Sequence, residues 1–368
     1  MFDYLSLKPK AFGLDISDLS LRIVNLKRKR GRFKLSSFGE AEIPSGIIKN
    51  GEIKKEEDLV KIIKKAISEV KGKSLKTKYV IASLPEEKSF LKVIQMPHLQ
   101  EKELKSAIVY EAESHIPLPI EEVYLDFHVV SPLYDHLDRQ DVLLVALPKK
   151  TVDPYISCFK KAGLKPLALE IESFSVARAL VKDGVSNFPV LIIDLGATKT
   201  SLTVFSGYSL KFSFFTPISS NSFTELISKI MKIDSDKAEK LKLKYGIETK
   251  GEEEGGAVFE ALIPALVDLV EQIKKYIDYY DTHISREHLF MSEGGKIKKI
   301  LLSGGGANLK GLIAFFSEQL KIPVEFGNPW ANILFKKGEI VPEMSFKKSL
   351  SYTSALGLAL RGIKASSR

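Results

Sequence analysis

The sequence predicts an α/β protein in which a β-β-β-α-β-α domain occurs twice, with an inserted α+β module and a helical subdomain. Three observations carry this. FGLDISDLSLRIVNL (12–26) and LIIDLGATKTSLTVF (191–205) share one pattern: an apolar strand closing on an aspartate, a short polar turn, then a second strand. Each copy runs on into a third strand, GRFKLSSFGEAEI (31–43) and YSLKFSFFTPI (208–218). Downstream, LLSGGGANLKGL (301–312) sets three glycines between a strand and a helix. One aspartate-ended hairpin is a common turn. Two, half a chain apart, point to facing aspartates, Asp15 and Asp194, suited to clamping a magnesium-bound nucleotide.

With 368 residues there is room for two or more domains, at roughly 100–200 residues each. A hydrophobic share of 44% fills large cores and excludes a disordered chain. The single cysteine, Cys158, excludes an intramolecular disulfide and points to a reducing compartment. The opening MFDYLSLKPK has no apolar signal region. The best apolar run, AVFEALIPALVDLV, is broken by Glu260 and Asp268 and falls short of the roughly 18 residues of a membrane span. A soluble cytoplasmic protein is therefore expected. The net charge of +9 favours anionic partners in general. Its densest cluster, KRKRGRFK (27–34), reads as a solvated hairpin tip or as a contact for an anionic membrane surface. No aromatic platform or recognition helix accompanies it, so no nucleic-acid partner is expected.

The elements follow in order. Leu59, Ile62, Ile63, Ala66, Ile67 and Val70 recur at helical spacing after the first meander, and KYVIASLP (78–85) is a buried strand. From about 90 to 166 the pattern changes to β-α-β-β-α: FLKVIQMP, a helix from Glu103 stopped by Pro117 and Pro119, YLDFHVVSPLY, DVLLVALP, and a helix ending at Gly163. This is the inserted module. ESFSVARALV (172–181) is the helix that returns to the first domain. After the second meander the chain is mostly helical over 222–293, and the glycine- and glutamate-rich GIETKGEEEGGA (246–257) is expected to be a mobile loop. SALGLALRG (354–362) is a helix whose small residues allow close packing. The expected division is thus 1–89, completed by 167–186 and 350–368; 90–166; 187–221, completed by 294–349; and 222–293.

In the glycine turn, Gly304, Gly305 and Gly306 would let backbone approach a ligand closely, with a helix N-terminus favouring anions. The turn is neither a Walker A loop nor GxGxxG. Asp15 and Asp194 would hold Mg²⁺ through its own waters. Ser17 and the run Gly196, Ala197, Thr198 and Lys199 would offer hydroxyl and backbone donors to phosphates.

The order GLDIS, ESFSVARAL, IIDLGATKTSL, AEKLK, LLSGGGANLKGL, SALGLAL resembles the nucleotide-site segments of the actin/sugar-kinase/chaperone ATPase fold. Within that fold the chain is similar to the FtsA cell-division family and, more closely, to the PilM family of type IV pilus assembly. The closer match rests on the module, with its Glu-Ala-Glu-x-x-Ile-Pro-x-Pro pattern at Glu111 to Pro119. The resemblance covers about residues 10–362 and implies an actin-like fold that binds ATP and Mg²⁺. It assigns Asp15 and Ser17 to the first phosphate segment and Asp194, Gly196, Thr198 and Lys199 to the second. The three glycines fall to adenosine, and Glu239 and Lys242 to ribose and base; without the family, those two read as surface charges. Glu172 stands where related ATPases orient the attacking water.

Three departures from the pattern lead to an expectation of slow or absent hydrolysis: Ser17-Asp18 in place of glycine, SSNSFT (219–224) in place of a glycine pair, and a base, Glu172, preceded by a competing Glu170. The resemblance further implies a place on the cytoplasmic face of the inner membrane, held there by a PilN-like membrane protein. The N-terminal peptide of that partner would lie in a groove between the first domain and the module, near Phe90 and Tyr124. Contacts with other platform or motor proteins, and self-assembly, stay open. An FtsA-like division scaffold is the first rival; the ending GIKASSR, without an apolar face, argues against it. A small-molecule kinase of the same fold is the second, and no substrate loop supports it.

Overall fold

A computed structural model describes residues 9–29, 32–130, 139–248, 252–284, 295–334, 341 and 343–365. The tip of the basic hairpin, residues 30–31, lies outside the described residues, as do 249–251.

Both predicted meanders form, and each belongs to a larger sheet of the same plan. In the first, Phe12–Ile16, Ser20–Lys29 and Arg32–Glu42 pair antiparallel, while Tyr79–Leu84 adds parallel to the first strand and Lys165–Ile171 parallel to that. In the second, Ser186–Leu195, Thr200–Gly207 and Ser209–Thr216 form the meander, and Lys299–Ser303 and Val324–Phe326 add parallel in turn. The short Lys71–Gly72 strand is an extra edge on the first sheet. Central strands read as unbroken apolar runs because helices cover both faces. The duplication seen in the sequence is therefore a duplication of topology.

Helix Thr353–Ala365 packs on the first sheet and bonds the second through Thr353 and Ser303. Gly13, Gly357 and Gly362 let it lie backbone to backbone with its neighbours: a Cβ on Gly357 would stand 1.8 Å from the Ser175 carbonyl oxygen, and one on Gly13 2.4 Å from that of Ala355. Helix Glu172–Leu180 is the partner of that contact at Ser175.

The module's sheet has Arg139–Pro148 between Phe90–Pro97 and Val123–Val130, all antiparallel. Helix Glu101–His115 covers one face through Leu104, Ile108 and Ala112, packed with Ile94, Met96, Val142 and Leu144. The opposite face, with Val93 and Leu143, packs on Val176, Ala177 and Phe205. The helix Lys149–Lys161, read from the sequence as part of the module, instead buries Val152, Tyr155, Cys158 and Phe159 in the first domain's core beside Leu59 and Ile63. Its apolar stripe alone could not reveal which sheet it would cover.

One expectation is corrected. The glycine- and glutamate-rich stretch is not a loop beyond Glu252, because helix Glu253–Tyr279 begins there. Gly255 is buried under the Tyr245 ring, 3.2 Å from where its Cβ would be, and the Tyr245 hydroxyl donates to Glu252 at 2.7 Å. The glycine serves close packing, a signal indistinguishable from a flexible loop in the sequence. Among the described residues no helix is long and apolar enough to cross a membrane.

Gly357→Ala should therefore cost about 3 kcal/mol or more, since overpacking against a backbone has no flexible atom to yield. Gly256→Ala, also helical but facing open space, should be neutral or stabilising by about 0.5–1 kcal/mol. Urea denaturation of both variants measures the contrast.

Candidate functional site

Asp15 closes the first strand of its sheet, and its Oδ1 accepts from the Ser354 hydroxyl at 2.7 Å. Ser354 in turn pairs with Ser175 at 2.9 Å, so a hydroxyl chain joins the aspartate to helix Glu172–Leu180. Asp194 occupies the equivalent place in the second sheet, in register with Ser303, whose hydroxyl donates to Thr353 at 2.9 Å. Burial pushes the Asp194 carboxyl up to about 6, with the charge of Asp15 adding to the rise. The charge of Asp15 thus reaches Asp194.

The first turn is more internally bonded than expected. The Ser17 backbone N–H donates to Ser20, and its hydroxyl shares a 2.9 Å hydrogen bond with that of Ser20. Asp18 is turned away from the cleft: its carboxylate accepts from the backbone N–H groups of Asn50 and Gly51, at 2.8 and 2.9 Å. Those residues form the tight turn of a small hairpin, Ile48–Lys49 with Glu52–Ile53. Asp18 thus anchors a turn, and the charge counted among the departures that lowered the expectation of hydrolysis has its own partners.

In the second turn the Gly196 N–H donates to the Lys199 carbonyl at 2.9 Å, and a Cβ on Gly196 would sit 2.8 Å from that oxygen. The Gly196 and Ala197 carbonyls accept from the N–H groups of Ser220 and Asn221, which ties the turn to the start of helix Ser220–Met231. Ser219 caps that helix, its side chain accepting from Ser222. The departure SSNSFT is thus a capping box. Thr198 lies half-buried between these groups.

Lys199 crosses to the other half. Its ammonium is 2.7 Å from Glu172 Oε2 and also bonds the Glu87 carboxylate. All three side chains are less than one-fifth exposed, at 19%, 13% and 11% for Lys199, Glu172 and Glu87. Burial opposes the charge on Lys199, but Glu172 and Glu87 hold it above the ordinary lysine range. Burial pushes Glu172 up to about 8 against the pull of Lys199, with Glu87 and Asp15 adding their charge. Glu170, the competing candidate, faces away, bidentate to Arg178 and bonded to Arg361. Glu172 alone points to the cleft, and it is engaged.

The glycine turn divides its labour. Gly304 has φ +84°, and Cβ atoms on Gly304 and Gly306 would run into Leu195, at 2.3 Å from its carbonyl oxygen and 1.7 Å from its side chain. Those two glycines serve packing. Gly305 is exposed, with only Ser351 3.7 Å from its would-be Cβ, and is the one open to a ligand. Glu239 and Lys242 come together in helix Ser235–Tyr245, and Lys242 is no surface charge. It is 3% exposed, donates to Ser220 and Thr224 at 2.7–2.8 Å, and pairs with Glu239 at 2.7 Å. Through Ser220 this pair reaches the second turn. Sequence reasoning missed Glu87, Ser175 and Ser354, whose only signal was a place beside elements already singled out.

Asp15, Asp194 and the glycine turn stand at the C-terminal ends of the duplicated strands and Glu239 and Lys242 on a helix, while Phe90 and Tyr124, the residues expected to meet a partner, do not stay together. Phe90 packs into the module's own core. Tyr124 lines a cavity of about 770 Å³ at the seam of module, first domain and second sheet. Phe127, Leu169, Phe174 and Leu210 also line it, together with Arg178 and Arg361.

Comparison with known proteins agrees with this fold. The model of the family described as type IV pilus assembly protein PilM matches residues 13–363. A solved PilM–PilN type IV pilus biogenesis complex superposes with TM-score 0.79 and 26% identity, over 96% of this chain and 99% of that one. MreB5 of Spiroplasma citri bound to AMPPNP shares the fold at TM-score 0.57 and 13% identity, covering 98% of both chains. Cell division protein FtsA of Streptococcus pneumoniae is 25% identical over 200 residues, 51% of this chain and 42% of that protein. The chain thus spans less than half the length of that relative.

Because Glu172 and Asp194 bind protons more tightly folded than unfolded, their contribution to stability is fully present below the unfolded carboxylate range and is lost as pH rises through about 6 and 8. The melting temperature of the ligand-free protein should fall between pH 5 and 8. In Glu172→Gln, read by differential scanning calorimetry, that fall should become shallower.

Proposed function

This chain belongs to the PilM family of type IV pilus assembly proteins, and we propose that it is an actin-like scaffold binding Mg·ATP as a conformational ligand. The observation that carries this is the convergence of Asp15, Asp194, the Gly196–Lys199 turn and Gly305 on one cleft between two sheets of equal topology. Asp15 and Asp194 are the pair that would hold Mg²⁺ through its waters, which would shield phosphate charge there. The backbone of the two turns would face the phosphates. Ser17, Thr198 and Lys199 would supply donors, Gly305 the adenosine contact, and Glu239 with Lys242 the ribose side. Gly304 and Gly306 would act by holding the turn in place. Since Glu172 is engaged by Lys199, turnover should be slow or absent, well below the roughly 1–10³ s⁻¹ of typical enzymes.

The partner would be the cytoplasmic N-terminal peptide of a PilN-like inner-membrane protein, held in the seam cavity. Val123–Val130 and Lys165–Ile171 are edge strands of their sheets among the described residues, and both line it. An unpaired edge beside apolar side chains fits an extended peptide that adds backbone hydrogen bonds and a few anchors. Attachment to the cytoplasmic face of the membrane would come through this partner.

Titration with a fluorescent ATP analogue should show binding to the wild type and its loss in Asp194→Ala and Gly305→Val. The second variant should fold normally, because its side chain enters ligand space rather than protein. Equal affinity in all three would remove the nucleotide site. A synthetic N-terminal peptide of the membrane partner should bind about tenfold more weakly to Tyr124→Ala and to Tyr208→Ala, both exposed cavity residues, as measured by calorimetry. Unchanged affinity in both folded variants would place the peptide elsewhere.

A further inference from the structure

Lys199 belongs to the turn where phosphates would lie, yet its ammonium is held by two carboxylates of the other half. Glu87 comes from the short turn Glu86–Lys88 that leads into the module, and Glu172 is the first residue of helix Glu172–Leu180. Beside them the Ser213 hydroxyl donates to buried Glu86, a second contact across the cleft. A lysine between two carboxylates is a closed electrostatic unit, and a terminal phosphate is the one anion the cleft would bring that competes for it.

Helix Glu172–Leu180 has a second role. Phe174, Ala177 and Arg178 line the seam cavity, and Arg178 stands six residues beyond Glu172, about 9 Å along the helix. Arg178 also donates to the Gly357 carbonyl at 3.2 Å and holds Glu170 with Arg361. A short, stiff helix thus has its first residue on the cleft cation and its side on the cavity.

We propose that Glu87 and Glu172 are the resting site of Lys199, that the terminal phosphate of a nucleotide takes Lys199 from them, and that the freed helix Glu172–Leu180 carries this exchange to the seam cavity. The inference rests on the nucleotide reading above and assigns Glu172 as a positioning residue rather than a base. Glu87, outside the family's nucleotide segments, gains a function.

The test uses the full chain, Mg·AMPPNP as probe, and the double variant Glu87→Gln/Glu172→Gln beside the single Glu87→Gln, each checked for folding by its melting temperature. Removing the competing carboxylates leaves a buried ammonium seeking an anion, so AMPPNP should bind about tenfold tighter to the double variant, with the single variant between. Hydrogen exchange over 172–181 should rise on adding AMPPNP to the wild type, and should already be raised in the double variant without it. A water-orienting base or a purely structural pair would give unchanged or weaker binding. If the wild type binds AMPPNP but the Glu87→Gln and double variants bind it equally well, with no change in exchange, the resting site is overturned and the nucleotide reading stands. If the wild type does not bind it, both fall.

Discussion

Backbone-to-backbone packing of helix Thr353–Ala365 is the constraint on which the rest of the structure depends. Three glycines, Gly13, Gly357 and Gly362, remove the side chains that would hold it away from the first sheet and from helix Glu172–Leu180. Seated so closely, it delivers Ser354 to Asp15, Thr353 to Ser303 and Arg361 to Glu170. One short helix therefore touches the strand that carries Asp15, the neighbour of the strand that carries Asp194, and the seam cavity. Its small residues are a packing requirement with functional reach, because a shift of a methyl group's width would move all three contacts together.

The cleft is electrostatically unfinished. Glu87 and Glu172 hold Lys199, Asp194 and Glu86 lie within reach of its charge, and burial raises Asp194, Glu86 and Glu172 above the ordinary carboxylate range. Buried carboxylates in excess of cations are costly unless protonated or neutralised by a ligand. A divalent cation arriving with a nucleotide would supply the missing charge, and a scaffold that gains stability this way would signal occupancy without needing fast chemistry.

The module is fastened by both of its faces. One covers itself with helix Glu101–His115, and the other shares a core with helix Glu172–Leu180 and the second sheet. Its last helix belongs physically to the first domain. A module joined in this way cannot move as a loosely tethered appendage. Any change at the cleft end of helix Glu172–Leu180 meets the module through packed side chains, which transmit strain because interiors are dense.

Much of this was legible in the residues alone. The duplicated hairpins, the matched places of Asp15 and Asp194, the glycine turn and the existence of the module follow from local periodicity and turn chemistry, which a linear pattern expresses directly. The family resemblance added Glu239, Lys242 and Glu172, residues whose types carry no local signature. What only the tertiary structure decided are relations between distant segments. Lys242 reads as a surface charge until Ser220 and Thr224 are folded over it. Asp18 reads as a departure from the family's glycine until Asn50 and Gly51 arrive, and Gly255 looks like a loop until Tyr245 lies against it. Glu170 and Glu172 are two residues apart in sequence, yet one serves the seam and the other the cleft, because strand Lys165–Ile171 ends between them and the chain turns into a helix. Side-chain type and spacing prescribe what each segment can become; which charges meet, and which glycines admit a neighbour, is settled by contacts between residues far apart in the chain.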